Sequence, residues 1–230
     1  MKVGIIGAME EEVNILRHQI KKRKKIYLSG AEIDSGILGG VEIFLIKSGI
    51  GKVLAALSCT LLISLYKINI LINIGSAGSL HPKFKIGDIV IASAVHYHDV
   101  DVTAYGGQLG QVPNCPFLFY ADHHLMTIAE SCIQKLNLFA IQGIIVTGDS
   151  FIQGNESLQR IRYSFPEAIA VDMEAAAIGH VCYQCNIPFI IIRSISDFAN
   201  SRSPNNFHTF LNEAAQKSSL VAKNILTYLI

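Results

Sequence analysis

Short, nearly continuous apolar runs alternate along this chain with longer stretches of helical periodicity, and that alternation leaves few folds open. Residues 2–7, 69–74, 87–94, 141–146 and 187–194 read as strands that are apolar on both faces. Residues 8–20, 53–66, 121–137 and 205–230 read as helices, the first with Val13, Leu16 and Ile20 on one face. Residues 32–47 hold two more strand-like runs around Gly39-Gly40, a hairpin signal. Strands alternating with helices predict a largely parallel sheet covered on both faces. At 50% hydrophobic, the 230 residues suffice to bury one α/β core, and no repeat, linker or low-complexity tract divides them. One domain is expected.

The same composition excludes several roles. Charged residues make up 16% of the chain and the net charge is +1, so a nucleic-acid partner is not expected. Low charge with high apolarity points to apolar surface buried in an oligomer. The basic run Lys21 to Lys25 reads as the solvated end of the first helix, where cations suit the dipole. The longest apolar run, residues 53–66, is too short to span a bilayer and contains Ser58, Cys59, Thr60 and Ser64. Glu10, Glu11 and Glu12 cut short any signal-peptide core. The five cysteines, odd in number and scattered, fit reduced thiols in a cytoplasm.

Several local patterns admit more than one reading. Gly51-Lys52 ends like a phosphate-binding loop, but Ile46 stands where the first glycine is needed and Val53 replaces Ser/Thr. No Gly-x-Gly-x-x-Gly follows a strand, so no dinucleotide site is expected. Gly75-Ser76-Ala77-Gly78 is either a tight turn or a place where amides approach a ligand closely. His96, His98, Asp99 and Asp101 alternate as metal ligands can, yet supply no complete shell at recognised spacing. The irregular segment that follows, to Pro116, reads as a lid or a subunit contact. Asp122-His123-His124 reads as a helix start with solvated histidines, and Cys182-x-x-Cys185 as structural.

The chemistry gathers at strand ends. Residues 168–171 form an apolar approach to Asp172, Met173 and Glu174, after which an alanine run opens a helix. Carboxylates in so apolar a setting need hydrogen-bond partners or a ligand, or else serve the positive end of the helix dipole. A second buried strand ends in Arg193, Ser194, Ser196 and Asp197. Ligands in such sheets bind beyond the carboxyl ends of strands, where Met9 to Glu12, Ser76, Phe151-Ile152, Met173-Glu174 and Ser196-Asp197 all fall. Three carboxylates with aromatics nearby suit glycosidic hydrolysis through a cationic transition state. No Gly-x-Ser-x-Gly turn offers a competing nucleophile.

These residues carry a resemblance. Residues 4–12 (GIIGAMEEE), 47–52 (KSGIGK) and 75–78 (GSAG), with Gly148-Asp149, Phe151-Ile152, Met173-Glu174-Ala175 and Ser194 to Asp197, are similar to the 5'-methylthioadenosine/S-adenosylhomocysteine nucleosidases of the purine nucleoside phosphorylase superfamily. The resemblance implies a single-domain, three-layer α/β/α fold over residues 1–230, nucleoside phosphorylase-like, with a mixed, largely parallel central sheet. It implies that Asp197 is the general acid toward adenine N7, oriented by Ser196 and supported by Arg193. Glu12 would be the base toward water, and Glu174 would hold the ribose hydroxyls with Met173 packed on the sugar. Ser76 would help hold the reacting centre. Adenine would sit by Phe151 and the backbone of Ile152, and Met9, Ile50 and Phe207 would wall the 5'-alkylthio pocket. A second copy would complete that pocket with Val102, Tyr105 and Pro113, which implies a homodimer, with no metal or organic cofactor.

Asp172, where the family often has Glu, and Tyr105, where it often has Phe, depart from the pattern without removing a catalytic group. A phosphorylase of the same superfamily is disfavoured, because Asn73 and the acids Glu10 to Glu12 stand where its phosphate-binding arginines lie. A nucleosidase for a futalosine-type substrate and a binding protein without catalysis remain as further readings.

Overall fold

A computed structural model describes residues 1–28, 30–200 and 203–229. Among these residues the sheet has ten strands, and the parallel heart of it begins with β1 (Lys2–Gly7), flanked by β4 (Val41–Lys47) and β5 (Ile70–Ser79). Val3, Ile5 and Ile6 of β1 are all fully buried, as a strand covered on both faces requires. On its other side β5 pairs in parallel with β10 (Phe189–Asp197), every residue of which is buried. β6 (Ile89–Tyr97), β8 (Ala140–Thr147) and β9 (Ala168–Asp172) form a second parallel set. Antiparallel pairings join β6 to β10 and β9 to the end of β5. They also attach β7 (Phe119–Tyr120), and build the β2 (Lys21–Leu28), β3 (Ala31–Leu38), β4 meander at one edge.

Two layers of helices cover this sheet, as the alternation predicted. On one face α1 (Glu10–Arg17), α3 (His123–Lys135) and α6 (Ser203–Leu226) bury Val13, Leu16, Leu125, Val221 and Ile225. On the other, α2 (Lys52–Tyr66) and α5 (Ala175–Cys185) bury Ala55, Cys59, Leu62, Ile178 and Cys182. Asp122 caps α3 by accepting the Leu125 N–H at 2.9 Å, with His123 and His124 exposed, as expected. The Sγ atoms of Cys59 and Cys182 lie 3.6 Å apart in the α2–α5 seam while Cys185 is exposed, so the Cys-x-x-Cys spacing forms no pair.

Some expectations need correction. The first helix stops at Arg17, and the basic run is the edge strand β2 rather than a helix end. Its charges are exposed as foreseen, but a lysine-rich edge blunts further strand pairing, and Arg23 and Lys25 meet Asp34 and Glu32 on β3. Gly75 to Gly78 is not a turn: β5 runs on to Ser79 because β10 and β9 pair with its second half. A helix absent from the sequence reading, α4 (Asn155–Ser164), buries only Leu158 and Ile161, too sparse a stripe to show as periodicity. Ile230, where the last helix was expected to end, lies outside the described residues. The His96 to Asp101 set disperses: His96 sits between the rings of Phe117 and Phe165, Asp99 pairs with Lys52, and Asp101 holds Thr103. Among the described residues no three His, Cys, Asp or Glu side chains are grouped to hold a metal.

Candidate active site

Glu12 stands in the first turn of α1, folded back over the end of β1. Its Oε2 accepts the N–H groups of Ala8 at 2.7 Å and Met9 at 3.1 Å. Its Oε1 accepts the Ser76 N–H at 3.0 Å and the Ser76 hydroxyl at 3.3 Å. The carboxyl is fully buried, and burial pushes its pKa up against the opposing charge of Arg193 and these N–H groups.

A fully buried arginine needs neutralisation, and Arg193 finds it under the site. Nε and Nη2 donate to Asp172 Oδ2 at 2.9 and 2.5 Å, Nη1 donates to the Ile74 carbonyl at 2.9 Å, and Glu174 Oε2 lies 3.6 Å from Nη2. Asp172 also accepts the Thr147 hydroxyl at 2.5 Å and the Ala175 N–H at 3.1 Å, which fixes the start of α5. Gly75 makes room for this layer, since a Cβ there would stand 2.1 Å from Arg193 Nη1. Glu174 accepts the Gly51 N–H at 2.9 Å, and burial, opposed by Arg193, raises its pKa to about 7.

Asp197 ends β10. Its Oδ1 accepts the Ala199 N–H at 2.8 Å and its Oδ2 the Ser196 hydroxyl at 3.0 Å. Burial lifts its pKa above the usual Asp value, with those two donors and Ser203 pulling the other way.

The three carboxylates face one cavity of about 330 Å³. Glu12, Ser76, Glu174, Ser196 and Asp197 contribute to its polar lining, and Met9, Ile50, Phe151, Ile152, Met173 and Phe207 to its apolar lining. The rings of Phe151 and Phe207 meet edge to face at 5.5 Å. Every site residue expected from within the chain is therefore brought together, with Arg193 beneath the cavity rather than in its wall. Val102, Tyr105 and Pro113 are not: they line a separate surface cavity, and Tyr105 is 94% exposed. Ala8, Ser150 and Val171 also line the site and were not foreseen; Ala77 and Gly78, from the stretch read as a possible close approach to a ligand, and Asp172, read as a carboxylate beside the site, line it as well. Ala77 and Gly78 are the small residues that let Asp197 close on β5, where a Cβ on Gly78 would sit 3.1 Å from Asp197 Oδ1.

A mixed, largely parallel sheet with carboxylates gathered around one cavity at its strand ends defines an α/β enzyme site suited to glycosidic hydrolysis. Residues 2–227 match the family model of the phosphorylase superfamily, and the chain belongs to that superfamily. Within it, the solved structures place the chain with the 5'-methylthioadenosine/S-adenosylhomocysteine nucleosidases. The Colwellia psychrerythraea 34H enzyme, in complex with adenine, is 42% identical with a TM-score of 0.96, over 98% of this chain and 94% of that one. The Neisseria meningitidis enzyme, in complex with methylthio-immucillin-A, is 39% identical with a TM-score of 0.97, over 99% of each chain. A futalosine hydrolase of Helicobacter pylori is also similar, at 31% identity and a TM-score of 0.95, over 99% of this chain and 98% of that one.

Proposed function

We propose that this protein hydrolyses the N-glycosidic bond of 5'-methylthioadenosine and S-adenosylhomocysteine, releasing adenine with methylthioribose or S-ribosylhomocysteine. The carrying observation is the convergence of Glu12, Glu174 and Asp197 on one cavity whose nearest buried cation, Arg193, is already held by Asp172 and Glu174. Phosphate needs a free cationic host, and Asn73, where a phosphorylase carries arginine, instead donates to the carbonyls of Ile6 and Ile74. Water is the better nucleophile here.

In this reading Asp197, whose pKa burial lifts above the usual Asp value, gives its proton to adenine N7 as the bond from N9 to the sugar breaks. Glu174 binds the ribose hydroxyls and offsets the positive charge that develops on the ring, and Met173 packs on the sugar. Glu12, with Ser76, holds a water; the water oxygen bonds to the anomeric carbon while its proton passes to Glu12. Phe151 and Ile152 receive the base, and Met9, Ile50 and Phe207 the 5'-substituent. The step draws on side chains and water alone.

A homodimer is part of the proposal. On α2, Val53, Leu54, Leu57 and Leu65 are exposed, continuous with Ile50 at the cavity rim, an apolar stripe that a second copy would cover. Val102, Tyr105 and Pro113 reach a site only if it belongs to that copy. The chain is read as one domain over residues 1–230, acting in the cytoplasm in methionine salvage and methyl-cycle recycling. No described helix is long and apolar enough to cross a membrane, and the free cysteines suit a reducing compartment. Turnover in oxygen-18 water tests the chemistry, since hydrolysis puts the label on the anomeric carbon of the released sugar. The similarity to a futalosine hydrolase keeps that substrate as the second reading, and side-by-side turnover of the two substrates separates them.

A further inference from the structure

We propose that Asp149 is a positioning residue for Glu174, acting through the Gly51–Lys52 turn and joining that carboxylate to the loop that carries Phe151. The inference rests on the nucleosidase reading of the cavity, in which Glu174 meets the ribose.

Two successive peptide N–H groups open α2, and each is taken by a distant carboxylate. The Gly51 N–H donates to Glu174 Oε1 at 2.9 Å, and the Lys52 N–H donates to Asp149 Oδ1 at 2.8 Å. No side chain of the turn itself caps this helix, and its first turn has no acid, so Asp149 supplies the cap from 97 residues away. Gly51 needs that restraint, because its φ of 99° is a conformation only glycine holds easily and leaves readily. Contact is close enough that a Cβ on Gly51 would stand 3.1 Å from Asp149 Oδ1.

Asp149 is itself held. Its N–H donates to Asp99 Oδ2 at 2.9 Å, the oxygen that also receives Lys52 Nζ at 2.6 Å. Lys52 Nζ lies 3.8 Å from Asp149 Oδ2. Two residues further on stands Phe151 in the cavity wall. One carboxylate therefore fixes the amide plane next to the one that Glu174 uses, and anchors the base-binding loop at the same point. Without it, the Gly51 N–H is free to swing away from Glu174.

The test compares Asp149→Ala and Asp149→Asn with the wild type, following adenine release from 5'-methylthioadenosine across pH. Asparagine keeps an oxygen that can accept the Lys52 N–H; alanine does not. The expected result is a fall in kcat/KM of about tenfold to hundredfold for Asp149→Ala, most of it restored in Asp149→Asn. The acidic limb of the Asp149→Ala profile should also move to higher pH, because Glu174 loses a donor that favours its charged form. The charged groups facing Glu174 are Arg193 from β10, Asp172 from β9 and Glu12 from α1, and none of them is altered. Lys52→Met keeps the backbone N–H and should leave that limb in place. Should alanine prevent folding, Asp149→Ser, too short to reach the amide, carries the same expectation. An unmoved limb in a folded Asp149→Ala protein, or Asp149→Asn as impaired as alanine, overturns the assignment. Failure of the wild type to release adenine would instead sink the nucleosidase reading beneath it.

Discussion

Glu12 and Ser76, 64 residues apart, are joined twice, since the Ser76 N–H and hydroxyl both donate to Glu12 Oε1. The backbone donor fixes the carboxylate, while the hydroxyl is free to turn toward a water. Ser76→Ala therefore keeps the 3.0 Å amide contact and loses only the second donor. Its kcat should fall about tenfold or more with KM little changed, the scale of one hydrogen bond to a carboxylate. A large rise in KM with kcat intact would place Ser76 on the substrate rather than on the water.

The pH profile of the wild type should rise on its acid side. Glu174, lifted to about 7, must be ionised to stabilise positive charge, so kcat/KM should climb as pH rises through that region. Asp197 acts as the acid in its protonated form, the form that burial favours. Asp197→Asn should keep the fold, judged by circular dichroism, and lose at least about a thousandfold in kcat. Near-normal turnover in that variant would remove Asp197 as the acid.

Burial of Glu174 is also a statement about stability. Its raised pKa means that the folded state prefers the protonated form. The stabilisation is full below the unfolded value near 4.5 and is lost as pH rises through about 7. Glu174→Gln removes the charge but keeps an oxygen for the Gly51 N–H. Without ligand it should melt roughly 3 °C or more above the wild type at pH 8, with the gap closing toward pH 4. A lower Tm at pH 8 would mean that the pairing with Arg193 outweighs burial.

At the far edge, Asp34 is fully buried and accepts Arg17 Nε at 2.7 Å and Arg23 Nε at 2.6 Å. Asp34→Ala leaves Arg17 buried without its main partner, which should cost about 3 kcal/mol. Tm should drop by roughly 6–12 °C while kcat/KM stays near the wild-type value. Loss of activity without loss of stability would contradict a purely structural role.

Much of this was legible because the signals were local. The strand of residues 187–194, the Gly39-Gly40 hairpin and the Asp122 cap each follow from neighbours in the chain. What was not legible depended on distant partners. β2 is a strand only because β3 pairs with it, so Lys21 to Lys25 in isolation read as a helix end. Gly75 to Gly78 stays extended only because β9 and β10 arrive beside it. Asp172, read as a neighbour of the site, proved to be the partner of Arg193. A signal for that pairing did exist: an arginine inside an otherwise apolar buried strand demands a buried carboxylate, and Asp172 was the nearby acid without a role. Nothing in the sequence pointed to the Gly51 N–H, since a backbone donor leaves no residue-type signature.

The central claim, that water rather than phosphate cleaves the substrate, is tested most directly by adenine release from 5'-methylthioadenosine in phosphate-free buffer, repeated with phosphate added. The account predicts full turnover without phosphate, free methylthioribose as the sugar product, and no acceleration when phosphate is present. Adenine released only when phosphate is added, with a sugar 1-phosphate as product, would contradict it.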